Sequence, residues 1–267
     1  MTRVMKAGSF AKHTILRKTA NDPVDVDVVF YIAEPDANHD TLQELNDAIF
    51  ELLVAQYPTK AVEDFEIQRR TAKVVFVKSG LTVEVVPVIE NPDRAGYGWQ
   101  FDLETGAKVE TYPAGQIKFV RDRKSVDPHF RTLVRMGKRW RNHAELTFFK
   151  SFQIELIMAY VLDTQGSDGS IDQRFRNFLL YIAQSGLKET ISFPENSQPI
   201  ASFTGPVVIV DPVCSWNNVA ARLTEEERLE IIAAATEAWE TANFATVEDD
   251  HDLWKELFGP RFKTEAA

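Results

Sequence analysis

Hydrophobic and polar positions alternate early in the chain and shift to a helical period later. Residues 24–32 (VDVDVVFYI) are rich in β-branched side chains and open on strict alternation, which predicts a strand. Asp40 and Thr41 can cap a helix whose Leu42, Leu45, Ile49, Leu52 and Leu53 recur on one face. Residues 65–77 and 81–89 read as two further strands, joined by Lys78-Ser79-Gly80 as a hairpin turn. Residues 91–115, rich in Gly, Pro and polar side chains, read as loop with room for one short hairpin. Beyond them Phe130, Leu133, Val134 and Gly137 share one helical face, and Phe149, Phe152, Leu156 and Tyr160 share the next. Ser170 with Gln173 and Thr224 with Glu227 are capping-box pairs. They open helices through Phe175, Phe178, Leu179 and Ile182 and through Leu229, Ile232 and Trp239. Residues 207–210 form a short apolar strand ending at Asp211-Pro212. The pattern predicts an α/β lobe over residues 1–126 and a helical lobe over residues 127–267, with a cleft between them.

Composition narrows the setting. A chain of 267 residues with 44% hydrophobic and 26% charged side chains is an ordinary globular mixture, which excludes disorder and coiled coil. No apolar run approaches the roughly 20 residues that span a bilayer, and the start MTRVMKAGSF lacks the apolar core of a signal peptide. Cys214 is the only cysteine, so disulfide frameworks and cysteine-cluster zinc sites are out, and a cytoplasmic setting is expected. The net charge of −10 is the wrong sign for a protein that coats nucleic acid. Nine cationic side chains nevertheless crowd between Lys118 and Arg141, against Asp122 and Asp127 alone. Such a segment suits a small anionic ligand better than a long polyanion, while composition alone favours a solvated, positive helix face.

Candidate chemistry starts at Asp25 and Asp27. Residues two apart in a strand point to one face, so VDVDV sets two carboxylates side by side with valines behind them. A divalent cation such as Mg²⁺, which takes hard oxygen ligands, resolves their repulsion; an amphipathic strand with a wet acidic face explains an isolated D-x-D as well. Glu84, in LTVEVVPV, is the third acid, on the face opposite Val83 and Val85. Were the two strands neighbours, three carboxylates would share one patch able to hold metal for an in-line phosphoryl transfer. Gly8-Ser9, just upstream in KAGSFAKHT, offers backbone N–H groups and a hydroxyl to a phosphate; Ser there also serves simply as a helix cap.

In this order GSFAKHT, VDVDV and VEVVP resemble the nucleotidyltransferase signature of the polymerase-β-like superfamily. More narrowly they resemble the branch that contains 2′–5′-oligoadenylate synthetases, cGAS and the cGAS/DncV-like nucleotidyltransferases (CD-NTases) of bacterial CBASS anti-phage systems. FRTLVRMGKRW with FFKSFQIELIM, VVIVDPVCSWNNVA and WKELFGPRF resemble later segments of the same branch, so the likeness runs from Gly8 to about Phe262. It implies a polymerase-β-like core with a mixed sheet, a C-terminal helical lobe, and an active site in the cleft. Carried over, Asp25, Asp27 and Glu84 would be the catalytic and metal-binding acids, holding Mg²⁺ or alternatively Mn²⁺. Gly8 and Ser9 would cradle the donor triphosphate, and Lys138, Lys150 and Ser151 would neutralise it. Read from residue type alone, Lys138 and Lys150 are solvated helix lysines, Glu155 makes a structural contact, and Asn217 and Asn218 cap or turn the backbone. Two departures stand out. The third acid is Glu where Asp is commoner, one methylene longer, and only seven residues precede Gly8 where family members carry a long bracing helix.

The function the resemblance implies is synthesis of a cyclic di- or oligonucleotide second messenger from ribonucleoside triphosphates, ATP among them, with release of pyrophosphate. A downstream effector would read the product, and an operon-encoded regulator or a conjugation partner at the C-terminal tail would complete the system. A linear oligonucleotide synthetase is the second enzymatic reading, and a catalytically weak nucleotide-binding scaffold of the same fold is the third. No membrane association is expected. Direct activation by nucleic acid is not expected either, since the net charge is unfavourable and no Cys/His cluster is present.

Overall fold

The β-branched segment Val24–Ile32 becomes the strand around which the first half of the chain assembles. The computed structural model describes residues 3–17, 24–33, 39–67, 71–101 and 108–263. It divides into two units, Met1–Arg121 and Asp122–Ala267. In chain order the first unit contains β1 (Arg3–Lys6), α1 (Gly8–Lys12), β2 (Val24–Ile32), α2 (His39–Gln56), β3 (Phe65–Ile67), β4 (Ala72–Phe76), β5 (Leu81–Glu90), β6 (Gly98–Phe101), β7 (Lys108–Thr111) and α3 (Pro113–Asp122). Among the described residues the strands form one mixed sheet in the order β1-β2-β5-β4-β3, with β6 joining β5 and β7 joining β6. Among the described residues of this sheet only β2 and β5 pair parallel, in register from Val24↔Leu81 to Ile32↔Ile89.

That register sorts the side chains. Val29 and Tyr31 of β2 and Val86 and Val88 of β5 share one face, where they bury against Ala7 and Ile117. Each such side chain taken from water contributes about 1.5–3 kcal/mol. The same face continues toward the N-terminal ends of both strands as Asp25, Asp27 and Glu84. On the opposite face Ala72, Val74 and Val85 are buried, and α2 covers them; Phe50 of α2 meets Phe65 edge-on at 6.2 Å.

The sequence reading needs two corrections here. The single strand expected over residues 65–77 is two, β3 and β4, antiparallel in register Phe65↔Val74, a pairing that requires the chain to reverse between them. The expected turn follows, with Ser79 and Gly80 N–H groups both bonded to Phe76 O. Second, the loop expected over residues 91–115 ends earlier, where α3 begins: Pro113 stands at its first position, where a missing N–H costs nothing, and Ile117, Phe119 and Val120 are buried. The hairpin expected within residues 91–115 is β6–β7.

The second unit contains α4 (Phe130–His143), α5 (Ser151–Gln165), α6 (Ile171–Ser185), β8 (Thr190–Ile191), β9 (Val208–Asp211), β10 (Cys214–Asn218), α7 (Glu225–Val247) and α8 (Trp254–Phe258). α5 is buried on nearly every side, from Gln153 to Leu162, as an apolar-all-round helix must be. α4 approaches it at Gly137, where a Cβ would stand 2.8 Å from Ile154 Cγ2. The expected box forms in full at Thr224, which bonds reciprocally with Glu227 at 3.1 and 2.9 Å, whereas Ser170 makes a simple N-cap, its Oγ accepting from Gln173 N at 3.4 Å. The buried face of α7 is rotated from the expected one. Ile231, Ala235, Ala238, Ala242 and Ala245 face inward while Leu229 is 53% exposed, because a row of alanines admits the close neighbour α6 that larger side chains would hold off. Among the described residues no helix is long and apolar enough to cross a membrane.

Candidate active site

Parallel pairing of β2 with β5 places Asp27 directly opposite Glu84, and Asp25 opposite Thr82, one pleat along. Side chains directly opposed across a sheet have Cβ atoms about 4.5–5.5 Å apart, so the three carboxylates share one patch of one face. The expected neighbourhood of the two acidic strands is what the sheet builds. Asp25 is exposed at its surface, yet the surrounding sheet still desolvates its carboxyl and raises it, while Lys73 and the Thr82 hydroxyl pull the other way. Glu84 is half-buried. Burial first, then the charges of Asp27 and Asp25, push its carboxyl up to about 7, against the opposing pull of Lys73.

Gly8 explains why the chain turns where it does. β1 pairs antiparallel with β2 as far as Lys6↔Val28, and Ala7 N donates to Asp27 O at 2.8 Å. The next residue has φ +57°, and a Cβ built on it would fall 1.6 Å from Asp27 Oδ2. Only glycine lets the backbone lie directly against that carboxylate. Ser9 follows in α1, its carbonyl accepting from Thr14 N at 2.9 Å.

The chemistry of these residues suits a divalent cation. The donors are carboxylate oxygens, the hard ligands that Mg²⁺ takes. Burial first, and then the other two acids, disfavour the charged form of Glu84, a cost that a bound cation would offset. The Gly8 cradle keeps side-chain atoms away from Asp27. Among the described residues no group of three or more His, Cys, Asp and Glu side chains is already spaced to hold a metal ion. The fit is one of donor chemistry and of a shared sheet face.

Lys138, Lys150 and Ser151 belong to the second unit. Lys150 and Ser151 stand at the start of α5, whose dipole favours an anion, although the Lys150 N–H already donates to Gln153 Oε1 at 2.8 Å. The Lys150 side chain is exposed, with Nζ donating to Thr147 O at 2.9 Å. Lys138 is different and corrects the sequence reading. It is 2% exposed, and its ammonium donates to Glu155 Oε1 at 2.6 Å, so its charge is already matched inside the unit. Glu155 accordingly makes a structural contact. Asn218 braces backbone: its Oδ1 accepts from Ile209 N and Ala220 N, and its Nδ2 donates to Val207 O.

Two residues escaped the sequence reading. Arg141 donates to Phe149 O at 2.5 Å and reaches Ser151 Oγ at 3.4 Å, holding the turn that presents Lys150 and Ser151. Lys73 of β4 pairs directly with Glu84. Its signal was present, since three residues back from Phe76 and three forward from Leu81 across the hairpin lead to Lys73 and Glu84.

The chain is similar to several known proteins. Residues 1–123 match the Second Messenger Oligonucleotide or Dinucleotide Synthetase (SMODS) domain. The chain is 62% identical over 265 residues to the CBASS oligonucleotide cyclase CdnC of Escherichia coli (strain KTE188), covering 99% of this chain and 84% of the relative. It is 32% identical over 276 residues to the cyclic AMP-AMP-AMP synthase of E. coli (strain MS 115-1), covering 98% and 84%. The E. coli MS115-1 CdnC structure with ATP superposes at a TM-score of 0.83 with 32% identity. The same CdnC in complex with HORMA-deltaN superposes at 0.80 with 31% identity. Both structural matches cover 98% of this chain and 84% of the other.

Proposed function

The chain belongs to the CD-NTase family of CBASS oligonucleotide cyclases, and on that premise we propose that Asp25, Asp27 and Glu84 are the carboxylates that carry its reaction. The enzyme is a nucleotidyltransferase that synthesises cyclic oligonucleotides for anti-phage signalling. Each transfer joins a ribose hydroxyl to the α-phosphorus of a ribonucleoside triphosphate, and pyrophosphate leaves. The observation that carries the residue assignment is the paired register Asp27↔Glu84, with Asp25 beside it and Gly8 against Asp27.

Mg²⁺ is the proposed metal, and when bound it supplies charge neutralisation at the α-phosphate and acidifies the attacking hydroxyl. Asp25 and Asp27 would hold it from β2 and Glu84 from β5. The glutamate's extra methylene gives that arm more reach than aspartate from the same register. Gly8 and Ser9 bind the donor triphosphate through N–H and hydroxyl groups, and Lys150 and Ser151 neutralise its charge, with Arg141 holding their turn. Lys138 serves this function only through its buried pair with Glu155, which holds α4 on α5.

The relatives support a finer reading. One is a cyclic AMP-AMP-AMP synthase and a solved CdnC carries ATP, which favours ATP as substrate and a cyclic adenylate as product. The CdnC complex with HORMA-deltaN favours a HORMA-type regulatory partner. The test is product analysis. The purified protein is incubated with the four ribonucleoside triphosphates and Mg²⁺, treated with phosphatase and read by mass spectrometry, alone and with a HORMA partner. A phosphatase-resistant cyclic adenylate, absent from Asp25→Ala/Asp27→Ala, is expected. Linear products alone would establish the linear synthetase reading, and no product under either condition would leave a nucleotide-binding scaffold.

A further inference from the structure

The pairing that brings Asp27 opposite Glu84 continues across the sheet. Glu84 pairs on its other side with Lys73 of β4, and Lys73 pairs with Glu66 of β3. Asp27, Glu84, Lys73 and Glu66 thus form one row over four strands, a single cation third among three acids. Lys73 Nζ lies 3.5 Å from Glu66 Oε2, with the Lys73 side chain 22% exposed and that of Glu66 57% exposed. Glu66 is on the outermost strand of the row. The cation therefore has an acid on either side, a metal-site candidate inward and a solvent-facing carboxylate outward. Both Asp25 and Glu84 feel its charge, since Lys73 stabilises the ionised form of each.

A cationic side chain beside a metal site acts in two opposed ways. It relieves the carboxylates of repulsion while no metal is present, and it repels the metal that replaces it. We propose that Lys73 is a positioning residue, the resident counter-cation of the carboxylate patch, and that Glu66 holds it outward so that a divalent cation can take its place. The proposal rests on Asp25, Asp27 and Glu84 being the metal site. It differs from a passive Lys73–Glu66 surface pair in one respect. Removing Lys73 and removing Glu66 move metal affinity in opposite directions.

The experiment titrates the full chain, stripped with EDTA and free of nucleotide, with Mn²⁺, and follows free Mn²⁺ by electron paramagnetic resonance. Lys73→Gln is expected to tighten binding by roughly three- to tenfold, as loss of a nearby partly screened charge requires. Glu66→Gln, which frees Lys73 to lie against Glu84, is expected to weaken it by roughly two- to fivefold. Lys73→Arg, keeping the charge, is expected to stay near wild type. Metal-free Lys73→Gln is also expected to melt below wild type at pH 8, with Mn²⁺ closing the gap. Weaker Mn²⁺ binding by Lys73→Gln would overturn the proposal, and so would unchanged binding in both Lys73→Gln and Glu66→Gln. Glu66 is largely exposed, so its variant tests the idea even if Lys73→Gln folds poorly. If Asp25→Ala/Asp27→Ala binds Mn²⁺ as well as wild type does, the metal-site reading itself falls, an outcome separate from the other two.

Discussion

Replacing Glu84 by glutamine removes a charge that the metal-free protein holds at a cost. Burial, then Asp27 and Asp25, raise its carboxyl from an ordinary 4.5 to about 7. A group raised in the folded state contributes stability that is fully present below pH 4.5 and lost as pH climbs through 7. The full difference corresponds to about 3 kcal/mol. Glu84 is only half-buried, so screening by solvent reduces this to about 1–2 kcal/mol. In EDTA at pH 8, Glu84→Gln is therefore expected to melt roughly 4–8 °C above wild type in the transition of the first unit. Near pH 4.5 the two should coincide. Adding Mg²⁺ at pH 8 should reverse the order, since wild type gains a ligand that glutamine lacks, and product formation should be lost in the variant. Differential scanning calorimetry at the two pH values reads the stability, with and without the metal. A Glu84→Gln that melts below wild type in EDTA at pH 8 would refute the reasoning. It would mean that attraction to Lys73 outweighs burial and the two aspartates.

Two further substitutions separate function from folding. Gly8→Ala puts a methyl where Asp27 Oδ2 now lies, at a positive φ. It should cost about 1 kcal/mol of stability, because the carboxylate can swing aside, while product formation falls by roughly a hundredfold or more because that swing misplaces a ligand. Retained activity in a nucleotide-incorporation assay would remove Asp27 from the mechanism. Lys138→Met or Glu155→Gln alone breaks a buried ion pair and should cost about 3–5 kcal/mol in urea unfolding, whereas Lys138→Met/Glu155→Leu together should recover most of it. Single variants within about 1 kcal/mol of wild type would show that Lys138 does not depend on Glu155.

Much of the site was readable because strand chemistry is local. Alternation in VDVDV already dictates that Asp25 and Asp27 share a face, and alternation in TVEVV sends Glu84 away from Val83 and Val85. The caps at Ser170 and Thr224 were readable for the same reason, as they join residues three apart. Lys73 is legible in principle through its hairpin, but a lysine in a strand carries no signal until its partner is known to be an acid. Lys138 misled. Residue type suggests a solvated lysine, and nothing in FRTLVRMGKRW announces that Glu155, seventeen positions on, buries with it.

What the sequence by itself determined is therefore the set of faces: two carboxylates on β2, a third on β5, a glycine that permits close approach, and helices with defined starts. Periodicity and capping involve neighbours within about four residues, and their energies are written into adjacent positions. What only the tertiary structure decided is the register. Asp27 meets Glu84 because β2 and β5, separated by α2 and two other strands, run parallel in one particular alignment. A slip of one residue would have turned Glu84 to the far face. Burial of Val29 and Tyr31 with Val86 and Val88 selects the alignment that keeps all four in the core. The same packing thereby sets the acids beside one another at the strand ends.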